Sequence, residues 1–133
     1  MVDIGGATEC LVRRAILELM HGTAPCGSLL AADVCWHEPG RSLVAGDYQG
    51  CDEVRGSLFA RLRELSGGTF RVTDWDGVST DPTREVAVYV VQARRGGRDL
   101  LSRDVCVADV RDGTITAVQV YHADQHAWDR FWS

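Results

Sequence analysis

Apolar residues recur at helical spacing through the first half of the chain and at near-alternate positions through the second. This change of period predicts helices first and strands last. Over residues 7–21, Leu11, Val12, Ala15, Ile16, Leu19 and Met20 form two rows at i, i+4 and i+8, with Arg13, Arg14 and Glu18 largely off that face. Gly22 stops this helix and Pro25 confirms the break. Residues 28–33 read as a short apolar helical turn with Ser28 as its N-cap, and residues 34–38 as extended chain. A second helix is predicted over residues 52–65, where Val54, Leu58, Phe59, Leu62 and Leu65 repeat while Arg55, Arg61 and Glu64 face water. Asp52 is placed to cap its start, and Ser66-Gly67-Gly68 ends it. The pattern then becomes β. Strands are predicted over residues 69–78, 84–94, 99–110 and 114–122, the second carrying Val86, Val88, Val90 and Val91. Arg95-Gly96-Gly97-Arg98 and Asp112-Gly113 are hairpin turns, so the last three strands form an antiparallel meander. Residues 124–133 close the chain as a short aromatic segment.

Helices followed by a long antiparallel sheet define an α+β class. A twisted sheet with helices across one face leaves a pocket between the two layers. The stretch from Trp36 to Gly50 brings the densest chemistry to that pocket. Trp36, His37 and Glu38 end a strand, Pro39-Gly40 forces a turn, and a loop with two more glycines leads into the second helix. Trp36 and Glu38, two apart, point to one side of the sheet. His37 points to the other, unless the bend at Pro39 rotates it. The plainer reading of the same stretch is a core tryptophan, a hydrogen-bonded histidine and a solvated glutamate.

Composition narrows the partners. The 133 residues fit one domain spanning 1–133, and 45% hydrophobic with 25% charged residues is enough for a packed core. The net charge of -5 argues against nucleic acid or an anionic membrane as partner. Arginine supplies all 14 basic side chains. The five cysteines are widely spaced without a CxxC pair, so neither a zinc site nor a redox dithiol is signalled. Cys35 and Cys106 read as small buried hydrophobes. Residues 1–8 carry no signal pattern and no run approaches the roughly 20 apolar residues of a span, so the expectation is a reducing cytoplasm.

Several short pieces occur together: Trp36-His37-x-Pro39-Gly40, Ala45-Gly46-x-Tyr48-x-Gly50, Gly67-Gly68-Thr69-Phe70, Arg95-x-Gly97-Arg98, Asp112-Gly113-x-Ile115 and Asp124-Gln125-x-Ala127-x-Asp129-x-Phe131-Trp132. In this order, over nearly the whole chain, they resemble the SnoaL-like branch of the NTF2-like superfamily. The resemblance implies a cone of curved antiparallel sheet enclosing a pocket with helices closing it, commonly as a homodimer. Members include ketosteroid isomerases, polyketide cyclases, limonene-type epoxide hydrolases, dehydratases and non-catalytic domains, so fold alone does not choose the chemistry. In ketosteroid isomerase-like members the proton-shuttling carboxylate sits on this first strand just before a proline, which maps onto Glu38. A second acid on a later strand is often the oxyanion partner, and Asp104 is the nearest candidate.

A glutamate in an apolar pocket beside Trp36 has its pKa raised by desolvation, which suits general acid–base work. Glu38 is the expected proton-handling group and Trp36 the wall of the pocket. His37 is the expected relay. Tyr48, Tyr89, Tyr121 and His122 are candidate donors to a developing oxyanion. Asp104 and Asp109 lie on opposite faces of one strand, so at most one faces the pocket. No GxSxG, GxGxxG or P-loop occurs, and His37, His122 and His126 match no metal-ligand spacing; no cofactor or metal is expected. Two functions follow. One is a cofactor-independent cyclase, isomerase or dehydratase acting on a small hydrophobic oxygenated molecule such as a polyketide. The other is a non-catalytic module for a small ligand or dimeric interaction, in which Trp128, Phe131 and Trp132 close the pocket or pack at an interface. A limonene-type epoxide hydrolase would need an Asp-Arg-Asp set, for which Arg71, Asp74, Arg103 and Asp104 offer no clear triplet.

Overall fold

The computed structural model describes residues 10–23 and 26–133, with residues 78–80 described by their backbone only. Residues 7–9 and Pro25, named in the first helix and its break, lie outside the described residues. The elements are α1 (Leu11–Met20), β1 (Leu30–Glu38), β2 (Gly46–Gln49), α2 in three continuous segments (Cys51–Glu53, Val54–Phe59, Ala60–Leu65), β3 (Arg71–Asp81), β4 (Arg84–Arg95), β5 (Arg98–Arg111), β6 (Thr114–His122) and α3 (Gln125–Phe131). The six strands form one curled, unclosed sheet in the order β2-β1-β6-β5-β4-β3. Every pairing is antiparallel except that of β1 with β6. The expected α+β cone is therefore present, with one parallel join that the meander did not foretell.

Alternation along the long strands builds the core. On β4 the buried positions are Glu85, Ala87, Tyr89, Val91 and Ala93, with Val90 buried as well on the opposite face, and on β5 they are Leu100, Ser102, Asp104, Cys106, Ala108 and Val110. Helix α1 lays Val12, Ala15, Ile16 and Leu19 on this face. At 10 residues it is too short to persist alone, and tertiary packing holds it. A carboxylate supplies the rest: Glu85 of β4, itself buried, accepts hydrogen bonds from the backbone N–H of Leu11 at 3.0 Å and Val12 at 2.9 Å. These are two of the donors that every helix start leaves unmet. In α2, Val54, Leu58, Phe59 and Leu62 are buried, and the middle segment is π-helical.

Four local expectations change. Residues 28–33 do not make a helical turn: β1 begins at Leu30, which pairs in parallel with Ile115, and sheet pairing overrides the local apolar pattern. Ser28 is no N-cap; its carbonyl accepts from the Thr114 hydroxyl at 3.0 Å. The loop before α2 contains a strand, β2, because residues 46–49 can complete the free edge of β1 from Cys35 to Glu38. Asp52 lies inside the first turn, where it pairs with Arg55 at 2.9 Å, and Gly50 holds the cap position. The terminal segment becomes α3, capped by the Asp124 side chain accepting from the Ala127 N–H.

The cysteines also divide differently. Cys106 is buried as expected, but Cys35 is exposed, because β1 turns its odd positions outward. Cys26 and Cys51, whose spacing signals no pairing, form a disulfide that ties the approach to β1 to the start of α2. The expectation of a reducing compartment finds no support in this bridge. No helix among the described residues is long and apolar enough to cross a membrane.

Candidate active site

The parallel join decides the site. Because β1 and β6 run the same way, their C-terminal ends meet, and each ends in a titratable residue, Glu38 and His122. The register adds the others: Tyr89 on β4 lies opposite Asp104 on β5, which lies opposite His122 on β6. All four alternate inward. His122 Nε2 lies 2.5 Å from Glu38 Oε2, and Nδ1 lies 2.8 Å from Asp104 Oδ1. The Ser102 hydroxyl, two positions along β5, donates to Asp104 Oδ1 at 2.7 Å. The imidazole stacks on Trp128 of α3, with ring centroids 3.7 Å apart and planes 15° from parallel.

The turn after Glu38 is clasped from the same helix. Gly40 has φ +105°, and a Cβ there would stand 2.2 Å from an Asp129 carboxylate oxygen. Only glycine allows that approach. Asp129 accepts from the Arg41 N–H at 3.1 Å, and the Gln125 amide donates to the Pro39 carbonyl at 3.3 Å. The Pro-Gly turn and α3 thus form one unit that places Trp128 beside His122.

These groups face a small cavity, with about 20 Å³ open to a water-sized molecule, walled mainly by Ile16, Trp36, Leu58, Phe59, Leu62, Phe70, Val72, Val91, Val120 and Trp128, with Tyr89. Its only ionisable side chains, among the described residues, are Glu38, Tyr89, Asp104 and His122. Burial alone would lower the His122 pKa. The hydrogen bonds and charges of Asp104 and Glu38 outweigh it and raise the value to about 9. With Glu38 and Asp104 both ionised, each only accepts, and the ring between them is then an imidazolium with both N–H groups in place. Trp128 presents its π face to that cation. Burial holds the Glu38 carboxyl above its ordinary value, opposed by the His122 hydrogen bond and charge and reinforced by Asp104. Burial likewise puts the Tyr89 phenol well above its usual value. The arrangement can store a proton in an apolar chamber and hand it between a carboxylate and an imidazole.

Of the residues singled out in the sequence, Trp36, Glu38, Tyr89, Asp104 and His122 come together here. Three do not. His37 points to the outer face, where it pairs with Asp47; the bend falls after β1 ends, so strand alternation holds through His37. Tyr48 is half-buried on β2 and donates to the Val44 carbonyl at 2.7 Å, outside the cavity wall. Tyr121, next to His122, is outward and 53% exposed. The stacking of Trp128 and the Ser102 support for Asp104 went unpredicted. Alternation along β5 was signal enough for Ser102, whereas nothing local placed Trp128 against a histidine six residues earlier.

No known protein-family model matches the chain. An uncharacterized protein of Mycobacterium tuberculosis (strain ATCC 25618 / H37Rv) is 32% identical over 124 residues, covering 92% of this chain and 94% of its own. The structure of Bal32a from a soil-derived mobile gene cassette superposes with a TM-score of 0.84 at 29% identity, over 92% of this chain and 94% of that one. An NTF2-like protein from Burkholderia xenovorans LB400 follows at TM-score 0.76 and 20% identity, over 92% and 93%. The fold is also shared, at TM-score 0.65 and 23% identity over 99% and 100% of the two chains, with a candidate polyketide cyclase from Xanthomonas campestris pv. campestris. The chain belongs to one family with the mycobacterial protein, and its fold is that of NTF2-like proteins.

Proposed function

We propose that this protein is a cofactor-independent acid–base enzyme, a cyclase, isomerase or dehydratase, acting on a small hydrophobic oxygenated molecule of the polyketide kind. The observation that carries the reading is the buried Glu38–His122–Asp104 array on the wall of an apolar cavity. Perturbed carboxyl and imidazole groups in contact inside a chamber are the usual equipment for proton transfer near neutral pH. Glu38 takes a proton from the carbon next to a carbonyl. The C–H electron pair passes toward the carbonyl as an enolate, and Glu38 becomes a carboxylic acid. The proton then returns at another carbon, or the enolate carbon closes on a second carbonyl whose oxygen, taking the electron pair of its broken π bond, receives the proton from Glu38. His122 supports Glu38 and is positioned by Asp104, which Ser102 positions in turn. His37 has no part in this step. No arginine lines the cavity among the described residues, so the Asp-Arg-Asp chemistry of an epoxide hydrolase has no counterpart.

The test is wash-out of the α-protons of 2-tetralone in D2O, followed by proton NMR. The wild type should accelerate exchange, and Glu38→Gln should lower the rate by roughly 10²–10⁴-fold. Equal rates in the two proteins would refute the assignment. The second reading is a non-catalytic ligand-binding module. It is favoured by the stacked His122, held at both nitrogens and by Trp128. It requires binding without wash-out.

We further propose a homodimer through the outer face of the sheet. Val88, Val105 and Tyr121 lie side by side there by register, and Val88 and Tyr121 are 39% and 53% exposed.

A further inference from the structure

The chamber has about 20 Å³ open to a water-sized molecule, whereas sites for small organic ligands run to roughly 300 Å³ or more. A substrate of the proposed kind therefore enters only when a wall moves. The sheet wall is held by the continuous pairing of β1, β6, β5, β4 and β3. Glu85 binds the start of α1. The Pro39-Gly40 clasp holds α3, and Arg95 donates to the carbonyls of Phe131 and Ser133 at 3.2 and 2.7 Å. Helix α2 is the remaining wall, and it contributes Leu58, Phe59 and Leu62.

The construction of α2 differs from that of its neighbours. Its middle segment, Val54–Phe59, is π-helical, with backbone bonds that reach back five residues instead of four. A shift of that pattern re-aims Leu58 and Phe59, and Phe59 stands edge-on to Trp36 with ring centroids 5.5 Å apart. Gly56 sits exposed inside the segment, and a Cβ there would meet nothing within 4 Å. No close approach requires glycine here, so its effect is a looser backbone than alanine would give. Among the described residues, the segment's side chains make no hydrogen bond to another element; Arg55 pairs with Asp52 of the same helix. The polar ties of α2 to the rest of the chain are exposed and fall outside the segment: Glu53 accepts from the Gln49 N–H, and Arg61 and Arg63 donate to the Leu43 and Met20 carbonyls. The one covalent tie among the described residues is the Cys26–Cys51 bridge, which pins the first residue of α2 to the chain entering β1.

We infer that α2 is the moving wall of the chamber, hinged at its π-helical segment, and that the Cys26–Cys51 disulfide is a redox latch that holds it shut. The inference rests on the proposed acid–base reading, because it regulates access to the chamber where Glu38 moves its proton. A dithiol releases the latch by exchange. One of its thiolates attacks the Cys26 sulfur, the more exposed of the two, the S–S bond breaks, and Cys51 leaves as a thiolate that takes a proton. The second sulfur of the dithiol then displaces Cys26 from the mixed disulfide. Two cysteine thiols result, and the dithiol, having given up two electrons, ends as a cyclic disulfide.

The experiment follows backbone amide exchange in D2O by NMR, on the full chain, with the bridge intact and after reduction by dithiothreitol. Reduction should speed exchange at Leu58, Phe59 and Leu62 by roughly tenfold, as a local opening does, and leave Ile16 and Trp128 unchanged. Cys26→Ser should reproduce the reduced pattern without reductant. Gly56→Ala, which has room for its methyl group, should slow exchange at Leu58 and Phe59 in the reduced protein by about two- to fivefold. Equal exchange in the two redox states would overturn the latch, as would a bridge that survives dithiothreitol. Equal acceleration in α1, α2 and α3 would overturn it too, because the bridge would then only stabilise the whole fold. Wash-out of 2-tetralone separates this inference from the acid–base reading. It should be faster in the reduced protein, and the same measurable rate in both states would show that the chamber fills without the gate. No wash-out in either state, with the expected exchange pattern, would sink the acid–base reading and leave the latched gate standing.

Discussion

His122 meets a carboxylate at each ring nitrogen, so its protonation is coupled to folding. Its folded pKa of about 9 lies above its ordinary 6.5. The native state therefore holds a proton that the unfolded chain releases first. The stabilisation is fully present below about pH 6.5 and is lost as pH rises through about 9. Glu38, also raised by burial, pushes in the same direction from its own lower range. Melting temperature should accordingly fall between pH 6.5 and 9, and His122→Gln should flatten that slope. A variant whose melting temperature declines as steeply as the wild type would show that His122 is not the titrating group. Glu38 was legible in the sequence because a carboxylate before a Pro-Gly turn is a local pattern. His122 appeared there only as one donor among several, since its role depends on Glu38, 84 positions away.

At the scale of the elements, α1 depends on Glu85. A helix of this length, with no side-chain cap of its own and no acidic residue in its first turn, borrows a carboxylate from β4. Glu85→Ala removes two charge-assisted hydrogen bonds and should lower stability by about 2–3 kcal/mol in urea unfolding, with Glu85→Gln between it and the wild type. A loss below a few tenths of a kcal/mol would mean that solvent replaces the carboxylate. The helical faces of α1 and α2 were readable from period, as were the four long strands. β2 and the start of β1 were not. Their short segments carry little periodic signal, and both exist because a neighbouring strand offers unpaired backbone groups.

For the molecule as a whole, one step along the strands separates two faces. The inner row Tyr89, Asp104 and His122 is inward, and the adjacent row Val88, Val105 and Tyr121 is outward. Light scattering should give twice the chain mass for the wild type, and Val88→Arg should give a monomer by placing a charge in the proposed interface. A monomeric wild type would remove the dimer.

The sequence by itself determined helices α1 and α2, the four strands β3 to β6, the inward side of Trp36 and Glu38, and the turn at Pro39-Gly40, because each follows from period or backbone restriction within a few residues. Only the tertiary structure decided the parallel union of β1 with β6, the Cys26–Cys51 bridge, the rejection of His37 and Tyr121 from the cavity, and the seat of His122 between two carboxylates. Those depend on which distant strand supplies the missing partner, and that choice is made by burying the whole apolar face at once rather than by any stretch of chain alone.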